Sequence, residues 1–236
     1  MKKSHIATLI VFFVLIPLTL IVGSRLSGRA FYVTSTLVIV ELLIPFFLAF
    51  EGRRPQAREL VVLAVMCALA VAGRVAIPIP SFKAIFGIIM IAGIAFGPES
   101  GFLVGAISAL ASNFFYSQGP YTPWQMMAYG AGGMLAGFVF AEGRLPRKPV
   151  VMGIFGFLAV TFFVGPLLDT CSVSLVMSRI SLKGAMAFYI SGFPVNLRQA
   201  VATAIVLLVL GKPLLEKLDR IKTKYGILDD EGRKEA

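Results

Sequence analysis

Apolar residues in this chain come in long blocks separated by short polar connections, not on one face of an amphipathic repeat. The blocks cover residues 6–22, 31–50, 60–79, 84–97, 101–116, 124–141, 150–168 and 194–210. A helix rises about 1.5 Å per residue, so roughly 20 apolar residues cross the ~30 Å hydrocarbon layer of a bilayer. The pattern therefore predicts eight membrane-spanning helices. Residues 84–97 form a short block and residues 101–116 a Gly- and Ala-rich one, which fits helices that are tilted, broken or packed wholly inside protein. Residues 172–192 carry Arg179 and Lys183 and suit a partly amphipathic connection. The first block follows Lys2 and Lys3 as a signal peptide would, but it is long and ends in Gly23-Ser24-Arg25 with no small-x-small cleavage site, so a retained helix is expected.

Composition agrees with this class. Of 236 residues, 58% are hydrophobic and 14% charged, which excludes a soluble domain, a disordered tail and a disulfide scaffold. Cys67 and Cys171 stand far apart and offer neither a disulfide framework nor a CxxC metal site. The net charge of +10 does not by itself point to nucleic acid, because membrane proteins gather Lys and Arg in cytoplasmic loops. With the N-terminus inside, that side holds Lys2, Lys3, Arg53, Arg54, Arg58, Arg144, Arg147, Lys148 and the seven Lys and Arg after Gly211, fifteen in all. The other side holds five, Arg25, Arg29, Lys83, Arg179 and Lys183, while Arg74 and Arg198 lie within spans. This excess predicts a multi-pass protein of the cell membrane with both termini cytoplasmic. The basic run over residues 212–224 adds attraction to anionic lipid.

That orientation places the scarce polar residues by depth. Arg74, Lys83, Asn113, Gln118, Tyr121, Trp124, Gln125, Asp169, Asn196, Arg198 and Gln199 all fall toward the outer side, with Asp169 capping an outward-going span. Polar groups at bilayer depth are costly unless they face protein, water or a partner, so the set predicts an outward-facing polar cavity. Snorkelling side chains and an aromatic belt are the alternative for each residue taken singly. The connection from Ser117 to Trp124 is uncharged and holds Gly119, Pro120 and Pro123, which predicts a shaped, rigid loop with Pro123 in the first turn of the next helix. Glu41, near the middle of the second span, is either a proton or charge-pairing site or a hydrogen-bonded group inside the bundle. Two small-residue ridges recur every four residues. Ala64, Ala68, Ala72 and Ala76 form one, and Gly93, Gly97, Gly101 and Gly105 the other; each suits close helix approach, within the bundle or against a partner.

At residue level the stretch over residues 58–137 resembles the substrate-binding S component of energy-coupling-factor (ECF) vitamin importers. The resemblance is carried by the Ala-x-x-x-Ala ridge, Gly97-Pro98-Glu99-Ser100-Gly101-Phe102, Ser112-Asn113-Phe114-Phe115, Gln118-Gly119-Pro120 and Thr122-Pro123-Trp124-Gln125-Met126. With Gly192-Phe193-Pro194 and Lys217-Leu218-Asp219-Arg220-Ile221-Lys222 it extends over about residues 57–225. The Asn-Phe-Phe and Gly-Pro-x-Thr-Pro-Trp-Gln segments resemble a subgroup proposed to take up cobalamin or related corrinoids. The resemblance implies an all-α polytopic membrane bundle. Its six-helix core, residues 57–213, would follow two accessory N-terminal helices within residues 1–56 and precede a cytoplasmic tail, residues 214–236. It further implies capture of a vitamin from outside, docking through Ala64, Ala68 and Ala72 on a transmembrane coupling protein, and release driven by two cytoplasmic ATPases. ATP would be used by those partners. This chain would bind no cofactor or metal of its own, and no nucleic acid.

Other classes fit less well. His5 is the only histidine, no Asp/Glu pair shares a short motif, and Asp169 with Cys171 has no base beside it, so an enzyme reading lacks its constellation. A stand-alone secondary carrier or channel for a small polar solute is the runner-up. Carriers usually show repeated halves with broken helices and midplane charges, and neither pattern is evident. The mixture of Trp, Tyr, amide and guanidinium groups suits a large amide-bearing ligand such as a corrinoid, and a nucleobase-like micronutrient almost as well.

Overall fold

Helix α1, Ala30–Gly52, leads into the bundle in the computed structural model, which describes residues 15, 18, 19, 30–52, 56–141, 143–177 and 181–226. The expected first span, residues 6–22, lies almost entirely outside the described residues, as do Lys2, Lys3, His5, Arg25, Arg29, Arg53, Arg54 and Arg179. Then follow α2, Ala57–Val75; α3, Ile85–Phe96; α4, Pro98–Tyr116; α5, Thr122–Phe140; α6, Pro149–Ala159; α7, Gly165–Val176; and α8, Leu182–Tyr225. A π-helical turn, Val160–Val164, joins α6 to α7 in one continuous rod. No strand occurs among the described residues.

Of the alternatives for the short block, tilted, broken or packed wholly inside protein, the structure shows the last. Every residue of α3 is buried, with α2, α4, α5 and α8 packed around it. A helix without a polar face can be satisfied only in this way or by lipid on all sides. Glycine lets α4 and α5 approach closely. A Cβ on Gly101 would lie 2.5 Å from the Gly133 carbonyl oxygen, and one on Gly105 would lie 2.4 Å from that of Tyr129. A Cβ on Gly93 would lie 2.1 Å from the Gly133 oxygen, so α3 shares the same seam. Three glycines of the Gly93-to-Gly105 ridge are therefore an internal packing device.

The π-turn has a local cause. Pro166 lacks an N–H and its ring crowds the carbonyl one turn earlier, so the ladder is forced to widen before α7. Among the described residues two elements, Pro149–Val176 and Leu182–Tyr225, are by themselves long and apolar enough to cross a membrane. At 44 residues α8 measures about 66 Å, roughly twice a hydrocarbon layer.

This length corrects two expectations. Residues 172–192 are not an amphipathic connection; α7 runs to Val176, and α8 starts at Leu182 behind Ser181, whose hydroxyl accepts the Gly184 N–H at 3.2 Å. Asp169 accordingly sits inside α7 instead of capping a span. The helix runs without a break into the segment expected as a tail, residues 214–236, continuing to Tyr225 and closing on Gly226 in the left-handed region, φ 59°. Leu215 and Leu218 bury against the bundle, and the Lys222 ammonium donates to the Ala95 carbonyl at 2.7 Å, satisfying the C-terminal turn of α3.

Candidate functional site

Alternation of helix direction brings the connections 76–84 and 117–121, the end of α7 at Val176 and the start of α8 at Leu182 to one end of the bundle. Three helices, α2, α4 and α5, deliver polar side chains there. Arg74, in the last turn of α2, directs Nη1 to Ser112 Oγ at 2.5 Å and to Asn113 Oδ1 at 2.9 Å on α4. The amide nitrogen of the same Asn113 donates to Thr122 Oγ1 at 3.1 Å and Gln125 Oε1 at 2.8 Å on α5. One buried asparagine thus ties three helices together. A side chain with two donors and an acceptor can do this, and an aliphatic residue cannot.

Thr122 secures the loop beneath. Its hydroxyl accepts the Gly119 N–H at 3.2 Å and donates to Gln118 Oε1 at 2.9 Å, while Gln118 Nε2 donates to the Leu110 carbonyl at 3.0 Å. Tyr121 donates to the Ser117 carbonyl at 2.7 Å. The shaped loop expected from its prolines is therefore held by its own hydrogen bonds, and α5 starts at Thr122 with Pro123 in its first turn. Aromatic faces complete the setting of Arg74: its guanidinium carbon lies 4.9 Å from the Tyr116 ring centroid and 5.6 Å from that of Tyr129. Rings stabilise a cation that has been partly withdrawn from water. Lys83 reaches the same Tyr116 ring at 5.9 Å, and Gln199 on α8 grips its backbone through both N–H, at 3.2 Å, and carbonyl, at 2.7 Å.

Not all the expected residues join this network. Asp169 on α7 and Asn196 on α8 form a separate pair, with the Asn196 amide donating at 2.7 Å. Gly192 gives the carboxylate room, because a Cβ there would stand 2.2 Å from its oxygen. Trp124 is buried beneath α1 against Ile39 and Cys171, so it packs an accessory helix. Arg198 is exposed, and among the described residues it bonds only its own helix, at the Pro194 carbonyl, 3.4 Å. Conversely Ser112, Tyr116, Thr122 and Tyr129 belong to the network. Helical spacing was the available signal: Tyr116 stands four residues from Ser112 and Tyr129 four from Gln125, each on the face of a polar neighbour.

The alanine ridge behaves unlike the glycine one. Ala64, Ala68 and Ala72 are all exposed, on the face of α2 opposite buried Leu63, Met66 and Ala70. Beside them Cys67, Ala68, Val71, Ala72, Val75, Ala111 and Phe115 line an open apolar groove of about 490 Å³. Helix α1 packs on α4, α5 and α7, away from this face. Its Glu41 accepts a hydrogen bond from Thr19 at 2.5 Å, which favours the bonded reading of that carboxylate over charge pairing.

The family model for the ECF-type riboflavin transporter, S component, matches residues 55–216. Among curated relatives, the UPF0397 protein YdcD of Lactococcus lactis subsp. lactis (strain IL1403) is 28% identical over 170 residues, covering 66% of this chain and 83% of the relative. A UPF0397 protein of Lactococcus lactis subsp. cremoris (strain NZ9000) is 27% identical over 172 residues, with 66% and 83% covered. No solved structure matches the chain.

Proposed function

We propose, for a chain that belongs to the ECF-type riboflavin transporter S-component family, that it captures a vitamin from outside the cell and delivers it to an ATP-driven coupling module. Family membership makes it a non-enzymatic, membrane-integral, substrate-binding subunit. The observation that carries capture is the convergence of Arg74, Asn113, Gln118 and Gln125 from separate elements at one end of the bundle. In this reading the end that carries the 76–84 and 117–121 connections faces outward and both termini face the cytoplasm, in keeping with the Lys and Arg distribution. The exposed ridge of Ala64, Ala68 and Ala72 docks on the transmembrane coupling protein, which two cytoplasmic ATPases drive. The accessory helix α1 leaves that ridge open.

A corrinoid such as cobalamin is the ligand we favour, since side-chain amides and a guanidinium suit its peripheral amides. The family description favours a second reading, a flavin. Mass spectrometry of small molecules retained by gently purified protein, followed by calorimetry with cobalamin, cobinamide and riboflavin, separates the two. Binding of riboflavin alone refutes the corrinoid reading and leaves capture intact. Ala68→Trp is expected to abolish copurification with the ATPases while ligand affinity stays within twofold. Uptake by the purified chain alone in liposomes, without ATP, would make it a stand-alone carrier and refute the proposal.

A further inference from the structure

Arg74 and Lys83 present an electrostatic arrangement that the protein leaves incomplete. Both cations stand over one ring, at 4.9 and 5.9 Å from the Tyr116 centroid. Arg74 spends Nη1 on Ser112 and Asn113, and among the described residues its Nε and Nη2 have no hydrogen-bond partner. Those two N–H groups form the guanidinium edge that meets an oxyanion through parallel bonds. The Lys83 ammonium donates to the Ile77 carbonyl, and Gln199 holds its backbone from both sides. Everything that supports the two charges is therefore a neutral dipole or a ring.

Among the described residues no carboxylate pairs with either cation. Two described acidic residues lie toward this end of the bundle, and both are engaged elsewhere, Asp169 by Asn196 and Glu41 by Thr19. Two like charges partly withdrawn from water repel each other, and dipoles lessen that cost without neutralising it. Topology does not account for them either, because the outer side is the one that membrane proteins leave poor in Lys and Arg. An anion seated beside both cations satisfies the arrangement. With a bidentate guanidinium edge and an ammonium beside one ring, a tetrahedral phosphate ester can use more of the donors than a carboxylate does.

We propose that Arg74 and Lys83 bind a phosphate ester group of the captured ligand. This deepens the capture reading and rests on it. The same chemistry can come from a lipid headgroup, so the test uses two soluble pairs and one lipid pair. The full chain, stripped of lipid in detergent, is titrated calorimetrically with flavin mononucleotide against riboflavin, which differ by the phosphate ester alone, and with cobalamin, which carries a phosphodiester, against cobinamide, which lacks it together with the rest of the nucleotide loop. Thermal unfolding is compared in nanodiscs of phosphatidylglycerol and of phosphatidylcholine.

In at least one soluble pair the phosphate-bearing member is expected to bind tenfold or more tightly. That gap narrows to below threefold in Lys83→Gln, in Arg74→Gln and in 0.5 M salt, while Arg74→Lys, which keeps the charge but not the bidentate edge, keeps only part of it. Lys83→Gln keeps the test available if Arg74→Gln does not fold. Equal binding within threefold in both pairs overturns the proposal. Protection by phosphatidylglycerol alone that Lys83→Gln removes also overturns it, by assigning the site to lipid. If none of the four compounds binds, the retained molecule decides: a phosphate ester supports the proposal and a neutral vitamin overturns it, with capture still standing. Absence of any retained molecule, together with no copurifying ATPases, overturns both.

Discussion

The contact between α4 and α5 can be tested with one methyl group. In Gly133→Ala the new Cβ would lie 2.3 Å from the Gly101 carbonyl oxygen, 2.7 Å from its carbon and 2.8 Å from Ile89 Cγ2. Two of these three atoms are backbone, which cannot rotate away. Relief to an ordinary contact near 3.4 Å requires the helices to part by about 1 Å. A gap of that size forfeits about a quarter to a half of each dispersion contact along the seam, and each contact is worth ~0.1–0.2 kcal/mol. Over some tens of atom pairs the loss is about 1–3 kcal/mol, the usual cost of overpacking a well-filled core. For a chain of this size that lowers Tm by roughly 3–10 °C. The assay is thermal unfolding in detergent, with exposed Ala68→Leu as the control expected to stay within about 2 °C. A Gly133→Ala protein as stable as its parent, or a control that unfolds as early, would refute the close-packed seam.

Asn113→Ala removes the acceptor for Arg74 and both donors to α5, so ligand affinity should fall about tenfold or more, at ~1.4 kcal/mol per decade, by calorimetry. Trp124→Phe should leave affinity within twofold, because the indole nitrogen has no partner among the described residues, whereas Trp124→Ala should cost about 3–5 kcal/mol of stability through the cavity beneath α1. Arg198→Ala should change neither affinity nor Tm, since the side chain is exposed and bonds only its own helix; a tenfold loss of affinity would return it to the site. Lys222→Met should lower Tm by a few degrees through loss of the bond to the Ala95 carbonyl, worth about 1 kcal/mol, and leave ligand binding unchanged.

Apolar block lengths were enough to mark most of the helices, because in a bilayer a helix must satisfy its own backbone and its length is bounded by lipid thickness. Residues 84–97 were legible as an atypical helix, tilted, broken or enclosed, because they are short for a crossing and have no polar face; packing decided that they are enclosed. The turn chemistry of Gly119, Pro120 and Pro123 was legible too, since fixed φ and a missing N–H act locally. Depth along the chain placed Arg74, Asn113, Gln118 and Gln125 at one level. Which of the polar residues at that level touch one another is a different kind of fact. It depends on how the helices rotate about their own axes, and hydrophobic blocks without an amphipathic face leave that rotation open.

Packing settled the rotation, and with it the roles. Two ridges with the same four-residue spacing diverged: the glycines, which alone let carbonyls approach within contact of a facing helix, turned inward, while the alanines on α2 were left exposed. Trp124 was drawn under an accessory helix whose position no local pattern encodes, and Arg198 was turned away from the network that holds Arg74. The sequence alone determined that this chain is a set of membrane helices with its polar residues gathered toward one end. Tertiary structure decided which of those residues form a site, because a side chain's neighbours across a helix contact are chosen by shape complementarity over the whole bundle, and no single segment carries that information.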